Sequence, residues 1–188
     1  ISNQLLNALT ILKKYKIIHS DLKPENIVLN YIDKNEITIK VIDLGSAMFQ
    51  HDKIHTYIQS RYYRAPEIIL GLKYDYTIDL WSVACIIYEL ITGNPLFNNK
   101  TEKSLILSHY NFLGEWPSHY MDKSKRKSLL LNQIAKLSYS KYDKLTLMKK
   151  IYSNQDYNYI YDFLINIFKW KSSERESLNN LLQHNFLN

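Results

Sequence analysis

Cysteine, glycine and proline are all scarce in this chain, and each scarcity excludes something. Only one of the 188 residues is a cysteine, Cys85, so an internal disulfide is excluded and no oxidising compartment is needed. The four glycines and four prolines form no flexible linker, and no internal repeat is visible. No apolar run approaches the roughly 20 residues of a membrane span, and no signal peptide is recognisable. We therefore expect an intracellular chain, cytoplasmic or nuclear (in the host cell if the gene is viral), without a membrane partner.

Acidic residues are also fewer than basic ones, 18 against 24, which gives a net charge of +6. Such an excess can favour polyanionic partners. The lysines are scattered, however, and the only dense group is DKSKRKS at 122–128, which we call the basic cluster. A nucleic-acid-binding protein gathers its basic residues on one face. We expect no nucleic-acid partner and keep a nucleic-acid-binding module as the weakest alternative.

Helical periodicity covers most of the chain. It predicts amphipathic helices at 2–15, between 94 and 116, and at 156–168 and 176–187. The stretch 77–93 is apolar nearly all round, so its helix must be surrounded by protein. A chain of this length suits one domain that buries roughly 70% of its unfolded surface.

The ends of the central helix and the region after it are less regular. Thr77 is the expected cap of that helix and Gly93 its stop. Residues 117–155 carry no clear pattern, and we interpret them as an insertion with short helices at 129–137 and 142–151. The six histidines are dispersed, which argues against a metal site built from them.

One polar stretch interrupts apolar sequence at 17–30, IIHSDLKPENIVLN. Its ends can form short strands, while the residues between them are too polar to be buried without a reason. Pro24 fixes its own φ and drives Lys23 toward an extended conformation. Asp21, Lys23 and Asn26 therefore cannot share one helix face and are presented by a rigid loop.

Two β-branched segments follow, at 27–30 and 37–42, and the turn-like residues between them predict a hairpin. The triplet DLG at 43–45 comes directly after the second segment. An acid at a strand end is, taken alone, commonly a turn or cap residue. Residues 46–64 show no period, and a loop this long inside a compact domain is usually functional.

Together these motifs resemble the large lobe of a eukaryotic-type Ser/Thr protein kinase. HSDLKPEN is similar to the catalytic loop H-R-D-L-x-x-x-N, DLG to the metal-binding D-F-G, and the A-P-E at 65–67 to the end of the activation segment. With DLWSVACIIYELITG and SSERESLNNLLQHNFL they lie in family order over nearly the whole chain.

The resemblance points to the CMGC group. YIQSRYYRAPEIILG is similar to the dual-specificity tyrosine-regulated and homeodomain-interacting kinases, while DLG and VACIIYEL are similar to the SR-protein kinases. It implies a mainly α fold, a protein kinase-like C-terminal lobe with a short β-hairpin that carries the catalytic and metal-binding loops.

The resemblance also implies a role for each residue of the loops, although each alone reads as an ordinary loop or strand residue. Asp21 would accept or orient the proton of the substrate hydroxyl, and Lys23 would balance charge on the phosphoryl group and favour Ser/Thr over Tyr substrates. Asn26 and Asp43 would hold Mg²⁺. Val28 would lie beneath the adenine of ATP.

The resemblance also implies supporting roles for residues outside the two loops. Glu67, a buried acid, would need a base, and Arg175 lies where the family places one. Asp79 would brace the backbone of the catalytic loop, although an acid in a first helical turn is also favoured by the helix dipole. Leu44 would serve as an apolar plug in place of the family's phenylalanine.

Two features concern regulation. Ser20 replaces the arginine that pairs with a phosphate on the activation segment, so we expect activity that depends less on such phosphorylation. Tyr57 matches the tyrosine that tyrosine-regulated relatives phosphorylate on themselves, with Arg61 and Arg64 as possible phosphate partners. Tyr57 is equally one of sixteen tyrosines in a tyrosine-rich chain.

The expected function is transfer of the γ-phosphoryl group of ATP to Ser/Thr hydroxyls of protein substrates. We interpret residues 1–188 as the large lobe alone, because a chain with only four glycines has no Gly-rich loop to bind phosphates. Turnover is therefore expected only when a small lobe is present. The rival hypothesis is a pseudokinase or scaffold that binds partners. The basic cluster and KTEKS at 100–104 place an Arg-Ser substrate preference in doubt.

Overall fold

The structure is a computed structural model, and it describes most of the chain. The described residues are 1–31, 37–52, 55, 57–124, 126–127 and 155–187. The two short helices expected at 129–137 and 142–151 lie outside the described residues.

Helices dominate the described residues, as the sequence predicts. They are α1 (Ser2–Lys14), α2 (Pro66–Leu70), α3 (Thr77–Thr92), α4 (Glu102–Leu113), α5 (Ser118–Lys123), α6 (Gln155–Ile167) and α7 (Leu178–Leu182). The strands are β1 (Ile17–Ile18), β2 (Ile27–Tyr31), β3 (Ile37–Val41) and β4 (Met48–Phe49), and 3₁₀ turns lie at Pro24–Asn26, Leu44–Ser46, Arg61–Tyr63 and Ser172–Glu174. None of the helices described combines the length and apolar character that a membrane crossing requires.

Helix α3 forms the centre of the core. Every residue from Thr77 to Tyr88 is buried, as expected for a helix that is apolar nearly all round. Helices α1 and α6 pack against α3 and contribute fully buried side chains such as Leu6 and Phe163. Burying one such side chain stabilises the fold by about 1.5–3 kcal/mol, so α3 is a rigid base for whatever is attached to it.

The residue predicted to cap the start of α3 is wrong. Thr77 is the first helical residue and not the cap. Asp75 satisfies the helix end instead, because its Oδ1 accepts from both the N–H of Thr77, at 2.9 Å, and the Thr77 hydroxyl. The stop at Gly93 is confirmed, since Gly93 has a φ of 72°, which suits a residue without a Cβ.

Two small antiparallel sheets surround the predicted loop. The hairpin is confirmed, with β2 paired to β3 from Ile27 opposite Val41 to Tyr31 opposite Ile37. A second sheet pairs β1 with β4 and was not expected. Strands of two residues carry no periodicity, so the sequence predicts only a loop from 46 onward.

The last helix is shorter than the sequence predicts. A helix was expected over 176–187, but α7 ends at Leu182. The chain then turns, with the N–H of Leu187 bonded to the carbonyl of His184 at 2.9 Å. With this turn the Phe186 ring packs against Phe163 at 5.0 Å between centroids.

A buried ion pair joins α2 to the segment that precedes α7, as predicted. Arg175 donates to both carboxylate oxygens of Glu67, at 2.7 and 2.6 Å, and both side chains are buried. Arg175 also donates to the carbonyl of Thr77 at 2.9 Å, so it ties α2 to the start of α3. A buried charge that loses its partner is costly, so the pair is essential to the fold once both charges are present.

Replacing Arg175 by methionine, which retains most of the side-chain volume, should lower the free energy of unfolding by about 3–5 kcal/mol because Glu67 is left unpaired. Urea denaturation measures this loss. The double variant Arg175→Met with Glu67→Gln should recover part of it. Lys127→Ala, which breaks an exposed pair with Asp122, should cost less than about 1 kcal/mol. Equal losses for the buried and exposed pairs would contradict the assignment.

Candidate active site

The predicted catalytic loop has the backbone that its proline implies. Lys23 is extended, with a φ of −159° and a ψ of 163°, and Pro24 opens a 3₁₀ turn that ends at Asn26. Ser20 has a φ of 61°, in the left-handed region that side chains other than glycine rarely adopt. Such a conformation persists only where surrounding contacts hold it.

Asp79 provides those contacts, and its predicted bracing role is confirmed. Its carboxylate accepts from the N–H of His19 at 2.6 Å and from the N–H of Ser20 at 2.9 Å. Asp79 is 1% exposed and belongs to α3, so these bonds attach the loop directly to the core. Position in the first helical turn is therefore not its only role.

Asp21 lies at the centre of a small polar network. Its Oδ2 accepts from Lys23 Nζ at 2.9 Å, while Oδ1 accepts from the N–H and hydroxyl of Ser60 at 3.0 and 2.7 Å. Partial burial acts to raise the pKa of Asp21, but the hydrogen bonds from Ser60 and Lys23 outweigh it and hold the pKa below its usual value. The hydrogen bond to Asp21 in turn raises the pKa of Lys23. Both groups are charged at neutral pH.

Ser60 is a site residue that the sequence reasoning missed. It lies in the segment read as loop, and one serine among polar and aromatic neighbours gives no signal of its own. Its position directly before Arg61, in the motif SRYYRAPE, is the only available indication. The structure shows that this serine joins the activation segment to Asp21.

Asn26 and the DLG triplet meet beside Asp21. The side-chain N–H of Asn26 donates to the carbonyl of Asp21 at 2.9 Å, and the N–H of Ile42 donates to the carbonyl of Asn26 at 2.9 Å. Asp43 follows Ile42 directly, and its charge contributes to the raised pKa of Lys23. The two acids and the amide are thus brought together from two separate loops.

The donor chemistry of this group fits a magnesium ion. The Asn26 side chain uses its nitrogen for the bond to Asp21, so its Oδ1 is the atom suited to a cation. Asp43 is exposed, and its Oδ1 accepts from the N–H of Gly45 at 3.2 Å. Within the described ranges no group of three or more His, Cys, Asp or Glu residues is arranged for a metal. Two protein oxygens match Mg²⁺, which is commonly held by one or two side chains together with substrate phosphates.

Val28 lies in β2 beside this group and is 45% exposed, so its side chain is accessible to a ligand. Leu44, expected as an apolar plug, is 58% exposed in the described fold, and its role as a plug stays a prediction. Asp43 takes a left-handed conformation with a φ of 65°, and the 3₁₀ turn that follows directs Leu44 to solvent.

Ser20, in the position of the missing arginine, joins the loop to both ends of the activation segment. Its hydroxyl donates to the carbonyl of Ser46, just after DLG. Its own carbonyl accepts from the N–H of Gln59 at 2.9 Å. The short Ser20 side chain therefore links the catalytic loop directly to the activation segment, where the family's arginine would bind a phosphate.

Gln59 is a second residue that the sequence reasoning missed. It has a φ of 66° and is buried, with its side-chain nitrogen bonded to the carbonyl of Ile78 and the hydroxyl of Ser82, both at 2.9 Å. Its side-chain oxygen accepts from the N–H of Ala65 at 2.9 Å. A glutamine between polar residues reads as exposed, yet this one fixes the end of the activation segment to α3.

Tyr57 lies against two arginines. It is 65% exposed, and the guanidinium carbon of Arg64 lies 4.4 Å from its ring centroid. The neighbouring Arg64 first, and then Arg61, lower the pKa of the Tyr57 hydroxyl. Arg61 Nε and Arg64 Nη1 are buried without a hydrogen-bond partner among the described residues, and Arg64 Nη1 is 3.7 Å from the nearest Glu102 oxygen.

The sequence as a whole matches the protein kinase domain over residues 1–187, and the chain belongs to the protein kinase family. It is 38% identical over 190 residues to dual specificity tyrosine-phosphorylation-regulated kinase 4 of Homo sapiens, which covers 96% of this chain and 35% of that protein. It is 47% identical over 131 residues to dual specificity tyrosine-phosphorylation-regulated kinase 3 of Rattus norvegicus, covering 70% of this chain and 22% of that protein.

Dual specificity protein kinase YAK1 of Saccharomyces cerevisiae is 40% identical over 171 residues, which cover 90% of this chain and 21% of that protein. The chain thus spans about a fifth to a third of the length of these curated relatives. The resemblance to CMGC-group kinases and the kinase-like C-terminal lobe are confirmed. The roles of Asp21, Lys23, Asn26, Val28 and Asp43 remain predictions.

Asp79→Asn tests the brace. Burial raises the pKa of Asp79 to about 7, although the bonds from His19 and Ser20 lower it. A carboxyl whose pKa is raised by folding contributes stability that is full below about pH 4 and is lost as the pH rises through about 7. We therefore expect the free energy of unfolding of the wild type to fall between about pH 5 and about pH 8 by more than that of the variant.

Urea titrations at the two pH values measure this difference. The amide introduced by Asp79→Asn has one acceptor oxygen, so the variant should also be less stable at both, by about 1–3 kcal/mol. Identical pH dependence in the two proteins would show that Asp79 does not titrate as its burial implies.

Proposed function

We propose that the protein to which this chain belongs is a Ser/Thr protein kinase that transfers the γ-phosphoryl group of ATP to hydroxyls of protein substrates. The observation that carries the proposal is the network in which Asp21 is held by Lys23 and Ser60 and adjoins Asn26. Phosphoryl transfer requires of a large lobe a charged carboxylate, a lysine and two oxygen ligands from separate loops.

MgATP, when bound, supplies the phosphoryl group, and its metal neutralises developing charge. Asn26 and Asp43 would hold the ion through side-chain oxygens. Val28 offers an accessible apolar surface for the adenine. These assignments rest on the donor set and on exposure.

Asp21 would orient the substrate hydroxyl and accept its proton. The lowered pKa keeps this carboxylate ionised at neutral pH, and Ser60 fixes its orientation through Oδ1. Such a group contributes about 10²–10⁴ to the rate as a general base. Lys23 lies 2.9 Å from the same carboxylate and would balance negative charge on the transferring group.

We further propose that turnover requires a small lobe, since a Gly-rich loop and a strand lysine complete the phosphate clamp in this family. The exposed apolar side chains around the site support this. Val28, Leu29, Ile42 and Leu44 are all more than a third exposed, which leaves apolar area near the site that a covering domain could bury. An intracellular location, cytoplasmic or nuclear, is proposed with it.

The rival function is a pseudokinase or scaffold that uses the large lobe for binding. A scaffold has no chemical need for an ionised Asp21, for Lys23 beside it, or for two metal-ligand candidates. Phosphoryl transfer is therefore the better explanation of the set.

Asp21→Asn in the full-length protein should lower the rate of phosphoryl transfer by about 10²–10⁴ while ATP binding is largely retained. The reason is that the substitution removes the proton acceptor and leaves the metal ligands in place. A single-turnover assay gives the rate, and titration with a fluorescent ATP analogue gives the affinity.

Asp162→Asn, on the exposed face of α6, is the matched control and should leave both values unchanged. Unchanged turnover in Asp21→Asn would remove Asp21 from its role. A protein that binds ATP and shows no transfer with any substrate tested would favour the pseudokinase.

Regulation at Tyr57 is a separate proposal. A phosphate on Tyr57 would meet Arg61 and Arg64, whose buried N–H groups have unused donor capacity. Ser20 already fixes the loop without a phosphate, so we expect Tyr57→Phe to lower activity by less than about tenfold, a limit of about 1.4 kcal/mol. Steady-state kinetics and phosphopeptide mapping of the wild type check this, and a loss of several hundredfold would contradict it.

A further inference from the structure

A cavity of about 610 Å³ lies between the segment that follows α2, helix α5 and the turn at Ser172–Glu174. The described residues that line it include none of those proposed to act on ATP, Mg²⁺ or the substrate hydroxyl. Its volume falls in the range of about 300–1,000 Å³ that is typical of ligand sites. It is therefore a candidate for a second binding site.

Three lysines line this cavity: Lys73, Lys123 and Lys171. Lys171 donates to Glu174 at 2.5 Å, so its charge is largely balanced. Lys73 and Lys123 are exposed, and neither forms an ion pair with a carboxylate in the part of the chain that the structure describes. Two uncompensated positive charges therefore belong to the cavity wall.

The basic cluster contributes selectively to this wall. Arg126 bonds Glu102 at 2.5 Å and Lys127 bonds Asp122 at 2.6 Å, so both are paired within the fold. Lys123, from the same cluster, lines the cavity instead. The position of Lys123 gives the cluster a specific role that its sequence alone does not indicate.

The remaining lining is apolar or neutral. Leu72 and Tyr120 provide apolar surface, and Ser173 adds a hydroxyl. A tyrosine is uncharged at neutral pH, and burial raises the pKa of Tyr120 further. The cavity thus combines an apolar surface with free ammonium groups, which suits a ligand that carries both carboxylates and an apolar group.

The backbone around the lysines is held in place before any ligand binds. Lys73 follows Leu72, whose N–H bonds back to α2 at 2.9 Å. Lys123 precedes Ser124, whose buried hydroxyl donates to the carbonyl of Leu70 at 2.7 Å. Both lysines are therefore anchored to the same short helix, and binding need not order the backbone, which favours affinity.

We propose that this cavity is a docking site for an acidic peptide segment of a partner protein, whose carboxylates pair with Lys73 and Lys123 while one apolar side chain packs on Leu72 and Tyr120. Lysines act as point charges without a fixed bidentate geometry, so clustered Asp or Glu side chains suffice as partners. The site shares no lining residue with the proposed catalytic group, and the proposal does not depend on phosphoryl transfer.

The test is fluorescence anisotropy with the full-length protein and a short labelled peptide in which glutamates flank one leucine. The double variant Lys73→Gln with Lys123→Gln should raise the dissociation constant of the peptide about tenfold. The effect stays at this size because each exposed charge contact contributes only modestly to binding. The matched control, Lys14→Gln with Lys40→Gln, removes the same charge from exposed positions elsewhere. It should change the dissociation constant of the peptide by less than about twofold.

Two altered peptides complete the experiment. Replacing the glutamates by glutamine, or the leucine by glycine, should each abolish most of the binding, and raised salt should weaken it. Equal weakening by the two double variants would overturn the site, because it would show a general effect of net charge. Tighter binding to phosphatidylserine vesicles than to the peptide, lost in the first double variant, would overturn the choice of partner.

Discussion

Two hydrogen bonds from the backbone of His19 and Ser20 to the buried carboxylate of Asp79 are the interaction on which the site depends. They attach the loop to α3, which is buried from Thr77 to Tyr88, while Leu22 of the loop itself packs in the same core. Ser20 sits in a left-handed conformation that these bonds hold. Because the loop is fixed at that point, Asp21 emerges in a defined direction.

Polar contacts also hold unusual backbone conformations in the segments around the loop. Asp43 and Gln59 share with Ser20 a positive φ that is unusual for residues other than glycine, and all three lie next to the proposed catalytic group. Each is held by a polar contact, as in the bond from the Gln59 N–H to the Ser20 carbonyl. Of the four described non-glycine residues with a positive φ, three therefore lie beside the site, and the fourth, Lys16, follows α1.

Much of this could be predicted because motifs and periodicity are local. The extended Lys23 follows from Pro24 alone, and the Glu67 to Arg175 pair follows from two positions in a recognisable family pattern. Ser60 and the buried side chain of Gln59 could not be predicted, since their roles arise from tertiary contacts that no local pattern encodes. The exposure of Leu44 could not be predicted either, because it is set by the turn after Asp43 and not by its apolar character.

The central proposal is that Asn26 and Asp43 hold the metal ion of bound ATP beside Asp21. Its most direct test is nuclear magnetic resonance of the full-length protein with ATP and Mn²⁺ in place of Mg²⁺, since the paramagnetic ion broadens nearby signals. The account predicts that the Asn26 side-chain amide and the backbone N–H groups next to Asp43 broaden first, while those of α6 do not. Broadening centred elsewhere, with the Asn26 amide unchanged, would contradict it.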